Sequence, residues 1–296
     1  MRVRKLKKKS ACTWRSKRGR RKLTGLLFVL PHLTGVLLFY LIPFLDVVRR
    51  SFARFDGSFF GLGNYRNVLS NEAFLLAARN TFRFTAVCIP LLFALAFALA
   101  LLLRRAGTRA GRYKSALLLP FAVPAASVVL LWRVLFDTKG LLNGLLDALG
   151  AAGCDWMNTG SAFYVLVGSY LWKNTGYVVI LFLAALSQVP ETLYEAARMD
   201  GAGRRAIFRY ITLPCIRNTS YTIFVLSLLN SFKVFREAYL VAGSYPQEDI
   251  YLLQHVFNNW FLNMDVDKMA AGAVLLALVV SAGTGALERV WQDGEV

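Results

Sequence analysis

Residues 187–214 read SQVPETLYEAARMDGAGRRAIFRYITLP, a stretch of mixed polarity that lies between two apolar segments. Pro190 suits the first turn of a helix, and Glu191 complements the positive end of the helix dipole. Gly201 is well placed to end that helix, because glycine readily adopts the left-handed conformation found after helix C-termini. The stretch therefore predicts a first helix from about Pro190 to Asp200.

A second helix is predicted to follow from about Gly203. Its apolar side chains, among them Ile207 and Ile211, fall on one face. Pro214 is predicted to end this helix, because the residue before a proline disfavours helical geometry. Two helices within so short a connection indicate a structured loop, which spans residues 188–217.

The flanking sequence is that of a membrane protein. The chain of 296 residues is 56% hydrophobic and only 18% charged, which is less charge than a soluble domain carries. Its mean hydropathy is +0.47. The uncharged run from Leu23 to Leu45 is long enough to cross a bilayer, which takes about 20 residues. A long basic stretch precedes it, so we interpret it as a retained first helix rather than a signal peptide.

Five further apolar segments follow, and together they predict an all-α integral membrane protein with six transmembrane helices in a domain of residues 23–291. Charged residues interrupt the fourth and fifth of these segments and should face protein or water rather than lipid. The predicted spans are about 24–45, 82–104, 115–136, 161–187, 218–242 and 268–289. The interrupting residues are Lys173, Lys233, Arg236 and Glu237.

The net charge of +18 resides mostly in a tail. Of the 35 basic residues, 12 lie between Arg2 and Lys22, where there is no acid. This tail (residues 1–22) gives no reason to expect a nucleic acid partner, because the charge does not line a folded face.

The distribution of Lys and Arg over the short loops predicts the orientation. The tail, the loop 104–114 and the stretch 198–217 are basic and belong in the cytoplasm, whereas segments 137–155 and 248–267 fit the outer side. The first outer loop is an exception. It carries Arg49, Arg50, Arg54, Arg66 and Arg79. The stronger signal of the tail places both termini, including residues 292–296, in the cytoplasm.

Several kinds of chemistry are absent from the sequence. No Gly-Lys dipeptide occurs, so the chain has no phosphate-binding loop of the GxxxxGK[ST] type. The histidines His32 and His255 stand alone, and no hydrolase or kinase motif is present. With these motifs absent, we do not expect an enzyme. We do not expect a metal site either, because the cysteines are scattered along the chain as well. These are Cys12, Cys88, Cys154 and Cys215.

The loop 188–217 contains a recognisable motif. It has the form Glu-Ala-Ala, three residues, Gly, nine residues, Ile, any residue, Leu-Pro, and it begins at Glu195 and ends at Pro214. This motif resembles the EAA loop of the permeases of binding-protein-dependent ABC importers, and we call residues 188–217 the EAA loop.

The resemblance extends beyond the loop. The segments 61–85, 117–136, 139–150 and 267–274 look like the carbohydrate-uptake branch of these permeases. That branch implies a MetI-like, type I ABC importer permease of the bacterial cytoplasmic membrane that translocates a sugar or an oligosaccharide. A close alternative is a sugar phosphate or an acidic sugar as the substrate.

In this family the EAA loop docks in a cleft of an ATPase subunit. Small Ala196 and Ala197 allow close approach, Glu195 can pair with a basic group, and Gly201 permits a sharp turn. The docking residues that the resemblance implies are Glu195, Ala196, Ala197, Arg198, Asp200, Gly201, Ala202, Gly203, Ile211, Leu213 and Pro214.

The resemblance also implies partners. These are a second, homologous permease chain, two ABC ATPase subunits, an extracellular or periplasmic solute-binding protein, and membrane lipids. No cofactor is expected on this chain itself, because ATP and Mg²⁺ would bind to the ATPase subunits.

Polar residues of the fourth and fifth predicted spans are candidates for the substrate path. Those of the fourth span share one helical face by their spacing of three and four residues, and a polar interface between helices is an equally valid interpretation. The candidates are Tyr170, Lys173, Asn174, Tyr177, Asn230, Lys233 and Arg236.

Lys233 and Arg236 allow two interpretations. They favour an anionic substrate, or they snorkel toward the membrane surface or pair with Glu237. Two functions of other classes are alternatives. A secondary transporter should show inverted repeats with broken helices, or a buried acidic residue for ion coupling. A membrane anchor or sensor would act through its basic tail.

Overall fold

The computed structural model of the chain describes residues 27–106 and 110–292. The predicted N-terminal tail, 1–22, and all but the first residue of the predicted C-terminal tail, 292–296, therefore lie outside the described residues. Apart from one isolated bridge between Ala53 and Phe59, the described residues form helices and loops, as the apolar segments predict. They divide into two compact units. The first comprises the described residues up to Tyr65 together with 266–274, and the second comprises 66–265 and the residues from Leu275 onward.

The helices follow one another in chain order with short connections. They are α1 (Leu27–Ser51), α2 (Gly63–Leu69), α3 (Glu72–Arg105), α4 (Ala110–Ala122), α5 (Ala125–Phe136), α6 (Leu141–Ala148), α7 (Ser161–Ser187), α8 (Glu191–Met199), α9 (Arg204–Ile207), α10 (Leu213–Cys215), α11 (Arg217–Ser231), α12 (Phe235–Ala242), α13 (Leu253–Leu262) and α14 (Val266–Gln292). Short π segments are Leu37–Leu41 and Phe208–Thr212, and short 3₁₀ segments are Phe232–Val234 and Glu248–Ile250.

In the first unit, the segment after α1 is tied back to the end of that helix. The amide of Asn64 donates hydrogen bonds to the carbonyl oxygens of Ser51 (3.2 Å) and Ala53 (2.7 Å). The hydroxyls of Ser51 and Tyr65 lie 2.7 Å apart. The two bonds from Asn64 satisfy carbonyl groups at and just after the end of α1, which lack helical partners.

The core of the second unit lies where α3 packs against α7. Asn71 caps α3 by accepting a hydrogen bond of 2.9 Å from the amide of Phe74. Every fourth residue of α3 then faces the core. This stripe consists of Phe84, Cys88, Leu92, Ala96 and Ala100, all of which are buried. Its small members allow the two helices to approach closely, as is common between membrane helices.

Helix α4 packs tightly against α7 and then ends at a sharp bend. A Cβ atom at Gly176 of α7 would lie 1.7 Å from the carbonyl oxygen of Leu117, so only glycine permits this approach. At Val123 and Pro124 the chain turns by 94° into the next helix. The predicted third span, 115–136, therefore falls on two helices, α4 and α5.

Among the described residues, four helices are long and apolar enough to cross a membrane, or five if the bent pair counts as one span. The chain is thus a multi-pass membrane protein. The predicted fifth span, 218–242, consists of α11 and α12 with the 3₁₀ segment Phe232–Val234 between them. A count of six spans stays a prediction.

Candidate functional site

The structure confirms the predicted first helix of the EAA loop. Helix α8 is flanked by Pro190 and Asp200. After it, Gly201 has a φ of +77°. Its amide donates to the carbonyl of Arg198 (3.1 Å), and the amide of Ala202 donates to the carbonyl of Ala197 (2.9 Å). This pair of bonds is a Schellman motif, which stops the helix and turns the chain sharply.

The prediction that Pro214 ends the second helix is wrong. Helix α9 passes directly into the π segment Phe208–Thr212 and then into α10, which contains Pro214 and ends at Cys215. Leu213, before the proline, keeps helical angles (φ −61°, ψ −48°). Proline is tolerated here because it lies in the first turn of α10, where no amide donor is needed.

The EAA loop presents most of its predicted docking residues to solvent. Ala197, Ala202 and Ile211 are partly buried, and Glu195, Ala196, Arg198, Asp200, Gly201, Gly203, Leu213 and Pro214 are exposed. Large apolar side chains beside them are exposed too, with Met199 at 89% and Tyr210 at 73% of their accessible surface. An exposed apolar patch with a polar rim is typical of a protein-binding surface.

One residue of the EAA loop anchors it to the rest of the chain. Tyr194 of α8 is buried, and its hydroxyl accepts a hydrogen bond of 2.9 Å from Arg104 at the end of α3. The hydroxyl also lies 3.3 Å from that of Thr212. Glu191 adds weak ion pairs with Arg104 (3.7 Å) and Arg198 (3.5 Å). Tyr194 is therefore a buried contact that helps to fix the EAA loop to α3.

Neither Tyr194 nor Arg104 is among the predicted site residues. The family motif begins at Glu195, one residue later, and it describes the docking face rather than the opposite face of the same helix. A tyrosine on the apolar side of a short amphipathic helix was the available signal. Its partner at the end of α3 is 90 residues away in the sequence.

A second feature is a polar cavity of about 250 Å³, which we call the central cavity. It lies between the bend after α4, the middle of α7 and the broken fifth segment. Six of the seven predicted substrate-path residues line it. These are Tyr170, Lys173, Asn174, Asn230, Lys233 and Arg236, and other lining residues are Phe121, Val123, Pro124, Ala125, Ser169, Val234 and Glu237.

Tyr177, the seventh predicted residue, is not among those that line the central cavity. Its ring stacks on Phe121 at a centroid distance of 4.9 Å and an angle of 11°. Tyr177 thus supports a side chain that does line the cavity.

An ion pair crosses one wall of the central cavity. The ammonium group of Lys173 in α7 donates to the carboxylate of Glu237 in α12, and the side chains are only 19% and 9% exposed. Nearby, the hydroxyl of Tyr170 donates to the carbonyl of Ser227 (3.1 Å). The same helical face therefore serves both interpretations, since Tyr170 and Lys173 line the cavity and also join α7 to neighbouring helices.

Glu237 is a charge within a predicted span, but it is not among the predicted site residues. An acid in the interior of an apolar segment was a sufficient signal, because such groups pair inside the protein. The structure shows that its partner is Lys173 rather than Lys233 or Arg236, so the predicted alternative in which Glu237 pairs with the latter two is wrong.

A larger groove of about 600 Å³ lies between α5 and α7. Its walls are mostly apolar and aromatic and include Trp132, Trp172 and Tyr164. The indole of Trp132 is already occupied, because it donates to the hydroxyl of Ser169 (2.7 Å). Such a groove offers few groups that could orient a hydroxyl-rich solute.

Comparison with known proteins identifies close relatives of the chain. The trehalose/maltose transport system permease protein MalF of Thermococcus litoralis is 33% identical over 229 residues, which cover 75% of this chain and 78% of that protein. The sn-glycerol-3-phosphate transport system permease protein UgpA of Yersinia pestis is 30% identical over 262 residues, covering 86% and 89%. The arabinooligosaccharides transport system permease protein AraP of Bacillus subtilis is 32% identical over 237 residues, covering 77% and 75%.

The fold is shared with a solved transporter. A chain from the crystal structure of a bacterial ABC transporter involved in the import of the acidic polysaccharide alginate has a TM-score of 0.81. The match covers 95% of this chain and 99% of that one, at 21% identity. The family model of the binding-protein-dependent transport system inner membrane component matches residues 91–290. By this match and by the identity of its relatives, the chain belongs to the family of binding-protein-dependent transport system inner membrane components, which are transport permeases and not enzymes.

Proposed function

We propose that this chain is the permease subunit of an ABC importer that carries a sugar or an oligosaccharide across the cytoplasmic membrane. The relatives named for trehalose/maltose and arabinooligosaccharide transport support a carbohydrate substrate. The chain forms half of the pathway with a second permease, and a solute-binding protein delivers the substrate from outside. Both termini and the EAA loop face the cytoplasm in this proposal.

ATP hydrolysis on two partner ATPase subunits drives the transport, and this chain holds no nucleotide. The observation that carries this assignment is the two-sided construction of helix α8. One side is buried through Tyr194, and the other presents Glu195, Ala196 and Met199 to solvent. A helix that is anchored on one side and exposed on the other can receive a partner's motion and pass it to α3 as a rigid body.

The Schellman turn at Gly201 allows a sharp test of this coupling. Gly201→Val should uncouple uptake from ATP hydrolysis, because a β-branched residue does not tolerate a φ of +77°. Gly201→Asn is the matched control, since asparagine adopts the left-handed conformation at a low cost. The measurement is ATP-dependent sugar uptake and ATPase activity of the complete complex in proteoliposomes.

Charge reversal on the docking side gives an independent test. Glu195→Lys should reduce ATP-driven uptake, whereas Glu195→Asp keeps the charge and should retain most of it. Normal coupling in both Gly201→Val and Glu195→Lys, with correct membrane insertion, would contradict the proposed role of the EAA loop.

Deleting residues 2–22 distinguishes the importer from a module that acts through its basic tail. The importer subunit should keep its uptake activity after the deletion as long as it inserts normally. Complete loss of activity in a correctly inserted protein would instead favour an anchor or sensor.

A further inference from the structure

The central cavity carries more positive than negative charge. Three of its lining residues are cations and one is an acid, and the acid, Glu237, is already hydrogen-bonded to Lys173. Within the described parts of the chain, no carboxylate lies at ion-pair distance from Lys233 or Arg236. Lys233 donates to the neutral amide oxygen of Asn230, at 2.7 Å. Two positive charges at this cavity are therefore without a counter-charge from residues 27–106 and 110–292.

The positions of these two cations favour the cavity over lipid. Lys233 lies in the 3₁₀ segment Phe232–Val234, and Arg236 lies one turn later, so both project from the same side of the broken fifth segment. Both line the cavity together with groups from α7. Ionisable residues within a membrane span face the protein interior or a water-filled path, because exposure to hydrocarbon is costly. In such a partly enclosed space they attract an anion more strongly than they would in bulk water.

The remaining wall suits a hydroxylated molecule. The amides of Asn174 and Asn230 and the hydroxyl of Ser169 line the cavity and can exchange hydrogen bonds with sugar hydroxyls. Asn174 uses one amide hydrogen for the carbonyl of Tyr170 (2.9 Å), which fixes the orientation of the group. The ring of Phe121 supplies an apolar surface. A few placed polar groups beside an aromatic ring are what small-molecule sites contain.

We propose that the central cavity binds a carbohydrate that carries a carboxylate or a phosphate group, and that Lys233 and Arg236 provide the counter-charge. This inference rests on the proposed import function and names the substrate class of its transport path. Lys173 is not part of the counter-charge, because Glu237 neutralises it.

The test measures binding without transport. The complex of this chain with its co-purifying subunits is placed in nanodiscs. Their lipid is zwitterionic phosphatidylcholine, whose head group contains no sugar. Saturation-transfer NMR then compares galacturonate with galactose, and glucose 6-phosphate with glucose. Each anionic probe differs from its neutral partner only in the charged group, and the two pairs distinguish carboxylate from phosphate.

We expect at least one anionic probe to bind about tenfold more tightly than its neutral partner, since ionic contacts of this kind strengthen binding. The double variant Lys233→Gln/Arg236→Gln should abolish the preference. The matched double variant Arg79→Gln/Lys139→Gln removes the same two types of charge from exposed positions outside the cavity and should keep it. Equal binding within both pairs, no binding of any probe, or an unchanged preference in the Lys233/Arg236 variant would overturn the proposal.

Anionic lipid is the competing binding partner of Lys233 and Arg236. If nanodiscs that contain phosphatidylglycerol lose the preference for the anionic probes, Lys233 and Arg236 serve lipid head groups and the proposal is wrong. Preference that persists in these nanodiscs supports a solute site. The binding assay requires neither ATP nor uptake. A negative binding result therefore does not contradict the import function. Conversely, the binding preference can still be measured if ATP-driven uptake fails.

Discussion

Arg104, at the cytoplasmic end of α3 in the proposed orientation, donates a hydrogen bond of 2.9 Å to the hydroxyl of Tyr194, and its guanidinium lies 4.7 Å from the centre of the tyrosine ring. Hydrogen bonding and the cation–π contact thus act on the same side chain. The pair connects a helix that crosses the membrane to the helix that faces the ATPase in the proposed complex.

Loss of the Arg104 side chain should loosen this connection. Arg104→Gln should lower the free energy of unfolding by about 1 to 2 kcal/mol, because it removes a hydrogen bond to a charged group and a cation–π contact. Uptake per ATP hydrolysed should fall as well. Thermal unfolding of the purified protein and coupled uptake in proteoliposomes measure the two effects.

Arg105→Gln is the matched control, since Arg105 is the next residue and is exposed. It should leave both the unfolding and the coupling unchanged. Equal effects of the two substitutions would show that the charge of this helix end matters rather than the contact with Tyr194.

The close approach of α4 and α7 predicts a large difference between two glycines of the same helix. Gly176→Ala should destabilise the protein by about 1 to 3 kcal/mol, because the new Cβ would overlap the backbone of Leu117 and force the helices apart. Gly168→Ala should be neutral or slightly stabilising, because a Cβ there has nothing within 4 Å. Thermal unfolding of the two variants measures this difference in stability. Similar melting temperatures would contradict the close approach of α4 and α7.

The ion pair between Lys173 and Glu237 should show strong coupling in a double-mutant cycle. Glu237→Gln alone should cost about 3 kcal/mol, because it leaves the ammonium group of Lys173 largely buried without a counter-charge. Lys173→Gln/Glu237→Gln should cost less than the sum of the single substitutions, since neither charge is then unpaired. Purely additive losses of unfolding free energy would indicate that the two groups do not interact.

His255 predicts a dependence of stability on pH. Burial lowers the pKa of its imidazole from 6.5 to about 4. Its Nδ1 accepts a hydrogen bond of 3.1 Å from the amide of Leu252, and its Nε2 has no partner among the described residues. The neutral ring is therefore the form that the folded protein accommodates.

Because the folded protein binds fewer protons than the unfolded chain between pH 6.5 and pH 4, the free energy of unfolding should decrease as the pH falls through this window. The stabilisation is fully present above pH 6.5, and its loss amounts to about 3 kcal/mol at low pH. His255→Asn, which keeps a hydrogen-bond acceptor, should reduce this slope. An unchanged slope in the variant would assign the pH dependence to other groups.

The parts of the molecule that could be predicted depend on local chemistry. The first helix of the EAA loop ends where Gly201 permits the left-handed turn, and this conformational requirement is readable from one residue and its neighbours. The end of the second helix was mispredicted at Pro214, because the π segment before it places the proline in a new first turn. The formation of such a π segment depends on backbone hydrogen bonding that cannot be read from the local sequence.

Short segments of the sequence were enough to predict a membrane protein with a helical chain and one loop with the EAA motif. Hydropathy, helix-ending residues and motif spacing are all local properties. Tertiary structure alone decided that Tyr194 is anchored by Arg104, that Glu237 neutralises Lys173, and that Lys233 and Arg236 remain beside an open cavity. These pairings join residues that are 90 and 64 positions apart, and only the packing of the helices brings such distant residues into contact.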